Sequence, residues 1–453
     1  MPGLTRQTAE FVASLRPDAI PASCREGARI GITDCVAVMI AGASEEAPRL
    51  VAAMVPASTT NEGAPEIPTG RNLSPPDAAF VNGVAAHVLD YDDVALDGHP
   101  SVVLSPAVLA EGWALGSSGS DLMAAYVAGY ELWALLQDLE PGHLHERGFH
   151  PTAVLGSLAT AAACAYLNRL DADRTAHAIG IAASLASGLV ANFGTMTKSL
   201  HAGRTAQAGV LAARLARAGF TASPDVLEHA TGFMQAHSPS GRPDLLDVDH
   251  ALGTKWRLPE RGINVKRYPL CYSTHRSIDA MLGLVGEHDL KPDDVEEIRV
   301  HTGSTQMLML RNHEPKTGLE AKFSMEFAMA SALVARNVGL SELSDAFVRR
   351  PEVVSAMSKV RCTTTEETME GLSFAPSDQV GIVLASGQIL EHPPVTHAKG
   401  SWGKRLSEEE LKAKFLDCAT LRLEPAAASA LFEALWSLDE IDDVRDLPLA
   451  RPH

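Results

Sequence analysis

The feature that most constrains the fold is helical periodicity across roughly the first 260 residues. Apolar residues recur there with a period near 3.6, the repeat of an amphipathic helix. Alanine, glycine and serine are frequent inside these segments, as in GSLATAAACAYL at 156–167, and such small side chains let helices approach closely. The pattern predicts a tightly packed, all-helical domain. The predicted helices cover 4–16, 20–42, 76–92, 103–115, 121–138, 152–167, 173–190 and 203–218.

The pattern changes near Pro259. Alternating apolar residues then predict strands between predicted helices, and helical periodicity returns after about residue 397. The fold class is therefore mainly α with an α+β part: a large all-helical domain plus a smaller α+β lid domain. The all-helical domain is predicted to comprise 1–262 with 397–453, and the lid domain 263–396. The predicted strands lie at 295–302, 360–366 and 380–392, and the main lid helices at 273–287 and 319–335.

Composition excludes several classes of protein. The formal charge of −18 leaves no basic stripe for a nucleic acid partner. The six cysteines are scattered without a CxxC pair, which favours free thiols in a reducing compartment. No window has the ~18 uninterrupted apolar residues of a membrane helix, and the N-terminal pattern is an amphipathic helix instead of a signal peptide. We expect a soluble cytoplasmic protein that binds neither nucleic acid nor membrane.

An acidic segment at 87–100, HVLDYDDVALDGHP, is the first candidate for chemistry. Asp90, Asp92, Asp93 and Asp97 cluster ahead of His99. The spacing does not match a calcium loop, which needs alternating acidic ligands and a glutamate at its twelfth position. The alternative is an acidic helix end exposed to solvent.

A histidine-rich segment at 143–152, HLHERGFHPT, superficially resembles a metal motif. HExxH needs histidines four residues apart on one helical face, whereas His145 and His150 are five apart with Gly148 between them. His150 directly precedes the next predicted helix, a position that suits anion binding.

The segment NFGTMTKSLHAGRTAQAG at 192–209 carries Lys198 and His201. We predict that both lie in a polar loop that opens into a helix at about Gly203. A cation ahead of a helix N-terminus can receive a carboxylate, and both groups can move protons. The alternative is a surface lysine with a capping histidine.

Two later segments also carry reactive groups. NVKRYPLCYSTH at 264–275 contains Lys266 and Arg267, two basic residues in an acidic chain, and places Cys271 before a helix, where a thiol pKa falls. The alternative for Cys271 is a small buried side chain. EAKFSMEF at 320–327 contains Lys322 and Ser324. No Walker loop, GxGxxG or GxSxG occurs, so a nucleotide cofactor or a serine hydrolase has no support, and we predict neither metal nor cofactor.

Together these segments resemble the MmgE/PrpD family, which includes 2-methylcitrate dehydratase, cis-aconitate decarboxylase and iminodisuccinate epimerase. The resemblance runs through VNGVAAHVLDYDD, GFHPTAVLG, FGTMTKSLHAGRTAQAG, KRYPLCYSTH and EAKFSMEF, in this order. It implies a homodimer, an α+β lid inserted before the helical tail, and a cofactor-independent site in the interdomain cleft. The substrate it implies is a small di- or tricarboxylate.

The resemblance places Asp90, His99, His150 and Lys198 where the decarboxylase branch has site residues, and it suggests Lys266 and Arg267 as lid contacts to a substrate carboxylate. The proton-transfer chemistry adds further candidates. The predicted catalytic residues are Asp90, His99, His150, Lys198, His201 and Cys271. The predicted substrate-binding residues are Lys266, Arg267, Tyr272, His275, Lys322 and Ser324.

Departures from the family pattern bear on the reaction. The decarboxylase branch has a histidine where this chain has Cys271, a tyrosine where it has Phe327 and a threonine where it has Val94. The methylcitrate dehydratase branch usually lacks the lysine equivalent to Lys198. The patterns TMTK…H, CY..H and AKFS.E are most similar to the iminodisuccinate epimerase branch.

An epimerase is therefore the leading prediction for the reaction. It would remove a proton next to a carboxylate through Lys198 or His201, and Cys271 would act on the opposite face. The alternative is a dehydratase-like or decarboxylase-like lyase, with His99 or His150 as the acid. A non-catalytic carboxylate-binding protein on the same scaffold is the rival from another class.

Overall fold

The computed structural model describes residues 3–60, 62–140, 142–241, 243, 252–369 and 374–449. The chain divides into two compact units, one formed by Met1–Asn264 with Ser407–His453 and the other by Val265–Leu406. We call them unit 1 and unit 2.

Unit 1 is helical. Its first part also holds a short antiparallel pair of strands, β1 (Ala64–Pro65) and β2 (Asn72–Leu73). The helices are α1 (Leu4–Ser14), α2 (Ala22–Gly42), α3 (Glu46–Met54), α4 (Pro75–His87), α5 (Ser101–Leu115), α6 (Gly119–Asp138), α7 (Pro151–Leu167), α8 (Ala172–Ala183), α9 (Met196–Arg217), α10 (Phe233–His237) and α11 (Leu258–Arg261).

Small residues set the spacing of the helices that carry the candidate site. Helix α7 is buried along its whole length. A Cβ added at Gly83 of α4 would lie 2.8 Å from the Cα of Gly203 on α9, and one added at Gly209 would lie 2.2 Å from Thr160 Oγ1 on α7. Glycine at these positions lets α9 pack closely against both neighbours. The end of α4, the start of α7 and the start of α9 are thereby held together.

Unit 2 is an α+β unit built on a four-stranded sheet in the order β4-β3-β5-β6. The pair β3–β4 is parallel and the other pairs are antiparallel. One apolar core, including Ile298, Phe327 and Ile382, fills the space between sheet and helices. The strands are β3 (Val295–Gly303), β4 (Val360–Thr365), β5 (Gln379–Leu384) and β6 (Ile389–Glu391), and the helices are α12 (His275–Glu287), α13 (Ser304–Met309), α14 (Gly318–Ala321), α15 (Met325–Val334), α16 (Asp345–Val348) and α17 (Pro351–Ser358).

The tail returns to unit 1 as α18 (Glu408–Ala419) and α19 (Pro425–Trp436). Lys414 of α18 lies 2.6 Å from Asp34 of α2 and donates to the carbonyl of Tyr91 at 2.9 Å. Both charged side chains are almost fully buried. This ion pair fixes the tail beneath the acidic segment that follows α4.

The prediction of a mainly helical chain with an α+β part is confirmed. Within the described residues no single helix has the length and apolar composition of a membrane span, although α2 and α3, bent by 86°, would pass as a pair on length and composition alone.

Candidate active site

The acidic segment after α4 folds back on the helix it leaves. Asp90, Leu96 and Asp97 adopt left-handed backbone conformations, with φ of 52°, 53° and 55°. Aspartate tolerates this region better than most residues. The reversal brings the ring of His99 to 4.5 Å from the ring of His87, measured between centroids. Two histidines twelve positions apart in sequence therefore lie in contact.

Lys198 pairs with Asp90 in the interior of unit 1. Its Nζ donates to Asp90 Oδ1 at 2.6 Å, and the two side chains are only 9% and 5% exposed. The ammonium also lies 5.1 Å from the centroid of the Phe193 ring, in cation–π range. This buried cation keeps its charge close to the histidines described next.

The predicted loop at Lys198 is wrong. Helix α9 begins at Met196, with Thr195 accepting from the Thr197 N–H as its cap. Lys198 therefore lies in the first turn of the helix, and His201 in the second. The polar residues after Gly194 are typical of a loop by periodicity, but serine and threonine are also frequent at helix starts, and Thr195 caps α9 here.

Asp92 lies between two histidines. Its Oδ1 is 2.9 Å from Nδ1 of His87, and its Oδ2 is 2.6 Å from Nδ1 of His99. Nδ1 of His99 also lies 2.9 Å from the carbonyl oxygen of Asp93. The side chains of Asp92 and His87 are fully buried, whereas that of His99 is 12% exposed.

A second pair of histidines lies beside the first. His150, directly before α7, has Nδ1 3.2 Å from Nδ1 of His201. Its ring centroid lies 6.1 Å from that of His87 and 4.8 Å from that of Phe193. Within the described residues, Nε2 of His87 and Nε2 of His150 are buried and have no hydrogen-bond partner. Unpartnered buried groups of this kind are rare in purely structural networks.

Burial keeps these imidazoles neutral. It lowers the pKa of His87 to about 4 and that of His150 well below its usual value, and the charge of Lys198 lowers both further. Burial, His87 and Lys198 lower the pKa of His201 to about 4. Burial disfavours ionisation of Asp92, but His87 and His99 hold its pKa well below its usual value. At neutral pH His87, His150 and His201 are therefore neutral, whereas Asp92 is ionised.

Asp93 is neutral, unlike the neighbouring Asp92. Burial raises its pKa to about 8, and the nearby charges of Asp92 and Asp34 add to the shift although bonds from Ser101 oppose it. Its carboxyl contacts the Ser101 hydroxyl, which also lies 2.7 Å from Tyr126 OH. Asp93 is therefore a protonated, internally bonded acid beneath the cluster.

The cluster also has the spacing of a possible metal site. Ring nitrogens of His87, His99 and His150 all lie within 4.8 Å of one another, and so do ligand atoms of the set His87, Asp90, Asp92 and His99. Neutral imidazole suits zinc and related metals. The pairing of Asp90 with Lys198 already occupies one carboxylate of the second set.

Unit 2 holds the other predicted residues. Lys266 and Lys322 are buried, Arg267 is exposed and Cys271 is partly buried. The N–H of Cys271 donates to the carbonyl of Lys322 at 2.9 Å, which brings two of the predicted segments together. Burial is the main cause that raises the pKa of Tyr272.

Two of the predicted substrate-binding residues have clear local contacts. Ser324 caps α15 by accepting from the Phe327 N–H at 3.1 Å. His275 is fully buried at the start of α12, with its ring 5.2 Å from that of Tyr268 and 5.0 Å from that of Tyr272. A substrate-binding role for these residues stays a prediction.

The structure therefore brings together five predicted residues in unit 1: Asp90, His99, His150, Lys198 and His201. It adds His87, Asp92 and Phe193, which the sequence did not single out as site residues. The proximity of His87 and Asp92 to the cluster depends on the left-handed turn at Asp90, which sequence periodicity does not register. For Phe193, the signal that could have identified it is an aromatic side chain close to Lys198 in the sequence.

Comparison with known proteins identifies the class of protein. The MmgE/PrpD N-terminal domain model matches residues 6–246, and the MmgE/PrpD C-terminal domain model matches residues 268–439. The chain therefore belongs to the MmgE/PrpD family, as its motifs predict, and is an enzyme of the isomerase or lyase type.

Three relatives similar to this chain share the name cis-aconitate decarboxylase. Human cis-aconitate decarboxylase is 30% identical over 400 residues, covering 85% of this chain and 80% of the relative. Mouse cis-aconitate decarboxylase is 28% identical over 400 residues, covering 85% and 79%. A cis-aconitate decarboxylase of Aspergillus terreus is 28% identical over 415 residues, covering 85% and 82%.

Proposed function

We propose that this chain is a cofactor-independent lyase that decarboxylates a small polycarboxylate of the cis-aconitate type. The observation that carries this proposal is the buried Lys198–Asp90 pair, at 2.6 Å, beside His87 and His150, whose buried Nε2 atoms have no hydrogen-bond partner within the described residues. A cation and neutral imidazoles in a dry environment suit the handling of negative charge and a proton on carbon.

The chemistry asks for two functions. When the bond between carbon and the departing carboxylate breaks, CO₂ leaves and its electron pair remains delocalised on the substrate. The Lys198 ammonium would stabilise that charge, because a cation attracts negative charge most strongly where water is excluded. A proton taken up from solvent then replaces the carboxyl group on carbon, and His99 or His150 would deliver it.

The relatives support the lyase reading, because three of them are named cis-aconitate decarboxylase. Lys266, Arg267 and Lys322 are our candidates for holding the substrate carboxylates, with Tyr272 beside them in sequence. A homodimer in the cytoplasm also remains our prediction.

Epimerisation of an iminodisuccinate-type acid is the second candidate. The observation that favours it is Cys271, a partly buried thiol whose backbone is bonded to that of Lys322. Cysteine can take or return a proton, and this chain has it where the decarboxylase branch has histidine. An epimerase would need Cys271, whereas the lyase would tolerate Cys271→Ser.

Proton NMR in D₂O tests the proposal. The enzyme would be offered cis-aconitate, 2-methylcitrate and iminodisuccinate separately. We expect new vinyl signals from cis-aconitate, absent with Lys198→Ala and retained with Lys412→Ala, a partly exposed lysine of the same unit paired with Glu433. Interconversion of diastereomers with α-deuteration would establish the epimerase instead. Turnover by Lys198→Ala at the native rate would contradict the assignment of this site.

A further inference from the structure

We propose that Asp92 is a positioning residue. It fixes the tautomers of His87 and His99 so that Nδ1 is the protonated nitrogen of each ring and Nε2 the unprotonated one. The inference rests on the proposed function for its kinetic consequence, although its structural content can be tested without turnover. Asp92 itself would not touch the substrate, because its side chain is fully buried behind the two rings.

The acceptors around His99 decide its tautomer. Nδ1 is hydrogen-bonded to the carbonyl oxygen of Asp93 at 2.9 Å, and Asp92 Oδ2 lies 2.6 Å away as an ion-pair contact outside hydrogen-bond geometry. A carbonyl and an ionised carboxylate can only accept, so Nδ1 must carry a proton. A neutral His99 then has its free electron pair on Nε2. Because this ring is the more exposed of the two held by Asp92, its Nε2 is the group that would act on the substrate.

The same argument applies to His87. Its Nδ1 lies 2.9 Å from Asp92 Oδ1, and its Nε2 is buried with no hydrogen-bond partner within the part of the chain that the structure describes. The ring packs against that of His99 at 4.5 Å between centroids. His87 thus packs against His99, and one carboxylate contacts both rings.

The pair His150–His201 differs in kind. Two facing Nδ1 atoms at 3.2 Å need one donor and one acceptor, so these rings take opposite tautomers and share one proton. Within the described residues, no carboxylate is hydrogen-bonded to either ring to fix which of them holds the proton. The cluster therefore combines two rings of fixed tautomer with two whose proton can shift.

The variant Asp92→Asn tests the proposal because it keeps shape and changes hydrogen bonding. An amide offers one oxygen and one NH₂ group, so it can accept from one Nδ1–H but must face the other with a donor. One ring must then switch tautomer or lose its contact with residue 92, although His99 keeps the Asp93 carbonyl as an acceptor. The matched control is Asp97→Asn in the same segment, where a partly exposed carboxylate lies 2.8 Å from Nδ1 of His143.

Two readouts decide the matter. Long-range ¹H–¹⁵N spectra of histidine-labelled wild type should show His87 and His99 with the proton on Nδ1, and Asp92→Asn should move one of them to Nε2. With cis-aconitate, Asp92→Asn should lower kcat by about 100-fold or more, since a wrong tautomer disables a catalytic histidine, while KM changes by less than about threefold because the substrate-binding groups are untouched. Asp97→Asn should change neither.

A proton on Nε2 of His99 in the wild type, or a native kcat in Asp92→Asn, would overturn the proposal. Circular dichroism and thermal unfolding of both variants establish that they fold, and the wild-type spectra decide the tautomers even if Asp92→Asn does not. If none of the acids is turned over, the proposed function fails, whereas the spectra still test the positioning role.

Discussion

The two units each bury a network of charged and polar side chains, but only one of the networks is closed. In unit 2, Asp378 is fully buried and its oxygens accept from Arg276 at 2.8 Å and from Ser277 at 3.1 Å. Thr302 donates at 2.8 Å and Gln306 at 3.1 Å. Four side chains thus satisfy one carboxylate.

The cluster in unit 1 is open by comparison. Asp92 is held by two imidazoles, yet Nε2 of His87 and of His150 lack partners within the described residues. A closed buried network stabilises a fold, whereas an open one costs stability and persists where chemistry needs it. The difference marks the unit 2 network as structural and supports our proposal that the unit 1 cluster is the active site.

Breaking the closed network should have the largest effect on stability. Arg276→Met leaves the buried carboxylate of Asp378 without its cation, and we expect a loss of about 3–5 kcal/mol in the free energy of unfolding. Urea denaturation measures it. Arg299→Met, which removes an exposed arginine paired with Glu297 in the same unit, should cost less than about 1 kcal/mol. Equal losses would mean that the network is not closed as described.

Opening the unit 1 cluster further should damage activity instead of stability. In His150→Asn the amide can replace Nδ1 toward His201, while Nε2 is deleted. We expect kcat with cis-aconitate to fall about 10²–10⁴-fold with little change in thermal unfolding. The control is His177→Asn, at a ring whose Nδ1 contacts the backbone of Ala222. Full activity in His150→Asn would remove the ring from the mechanism.

The protonation of Asp93 predicts a smaller effect, a dependence of stability on pH. Its pKa is about 8 in the folded chain against an ordinary 3.8, so the folded state holds a proton that the unfolded state lacks, and stability is lost as pH rises through this interval. Asparagine resembles the protonated acid and removes this loss. Asp93→Asn should therefore gain melting temperature relative to wild type between about pH 6 and about pH 8.

The histidines give both proteins the opposite slope in acid. The pKa values of His87 and His201 fall from 6.5 to about 4, so stability is lost as pH drops below 6.5 in wild type and Asp93→Asn alike. If the melting temperatures of the two proteins, plotted against pH, stay parallel from acid to pH 8, then Asp93 is ionised in the folded state.

Removal of metal should have the smallest effect. Although ring nitrogens of His87, His99 and His150 lie within 4.8 Å of one another, we expect dialysis against a chelator to leave kcat unchanged. Loss of activity, restored by zinc alone, would convert the open cluster into a metal site.

Sequence periodicity predicted the helices well where apolar residues repeat without interruption, as in α6 and α7. It failed where polar residues begin or end a helix: α9 starts seven residues before the predicted position, and α8 ends at Ala183 although the prediction continued to 190. Capping side chains and small residues decide such boundaries, and they carry no periodic signal.

The members of the proposed site could be named from the sequence, whereas their arrangement could not be predicted. His99, His150, Lys198 and Asp90 were identified because their segments match a family pattern. The role of Asp92 between two rings was not, because it depends on the backbone reversal at Asp90 and on the close packing of α4 against α9. Tertiary contacts of this kind do not follow from local sequence.

The most direct test of the central claim follows the carboxyl group itself. Cis-aconitate labelled with ¹³C in its carboxyl groups would be incubated with wild type and with Lys198→Ala, and ¹³C NMR would detect labelled CO₂ and bicarbonate. The account predicts release by the wild type and at least a 100-fold slower release by the variant, the order expected for losing one charge-stabilising group. No release by the wild type, or equal release by both proteins, would contradict it.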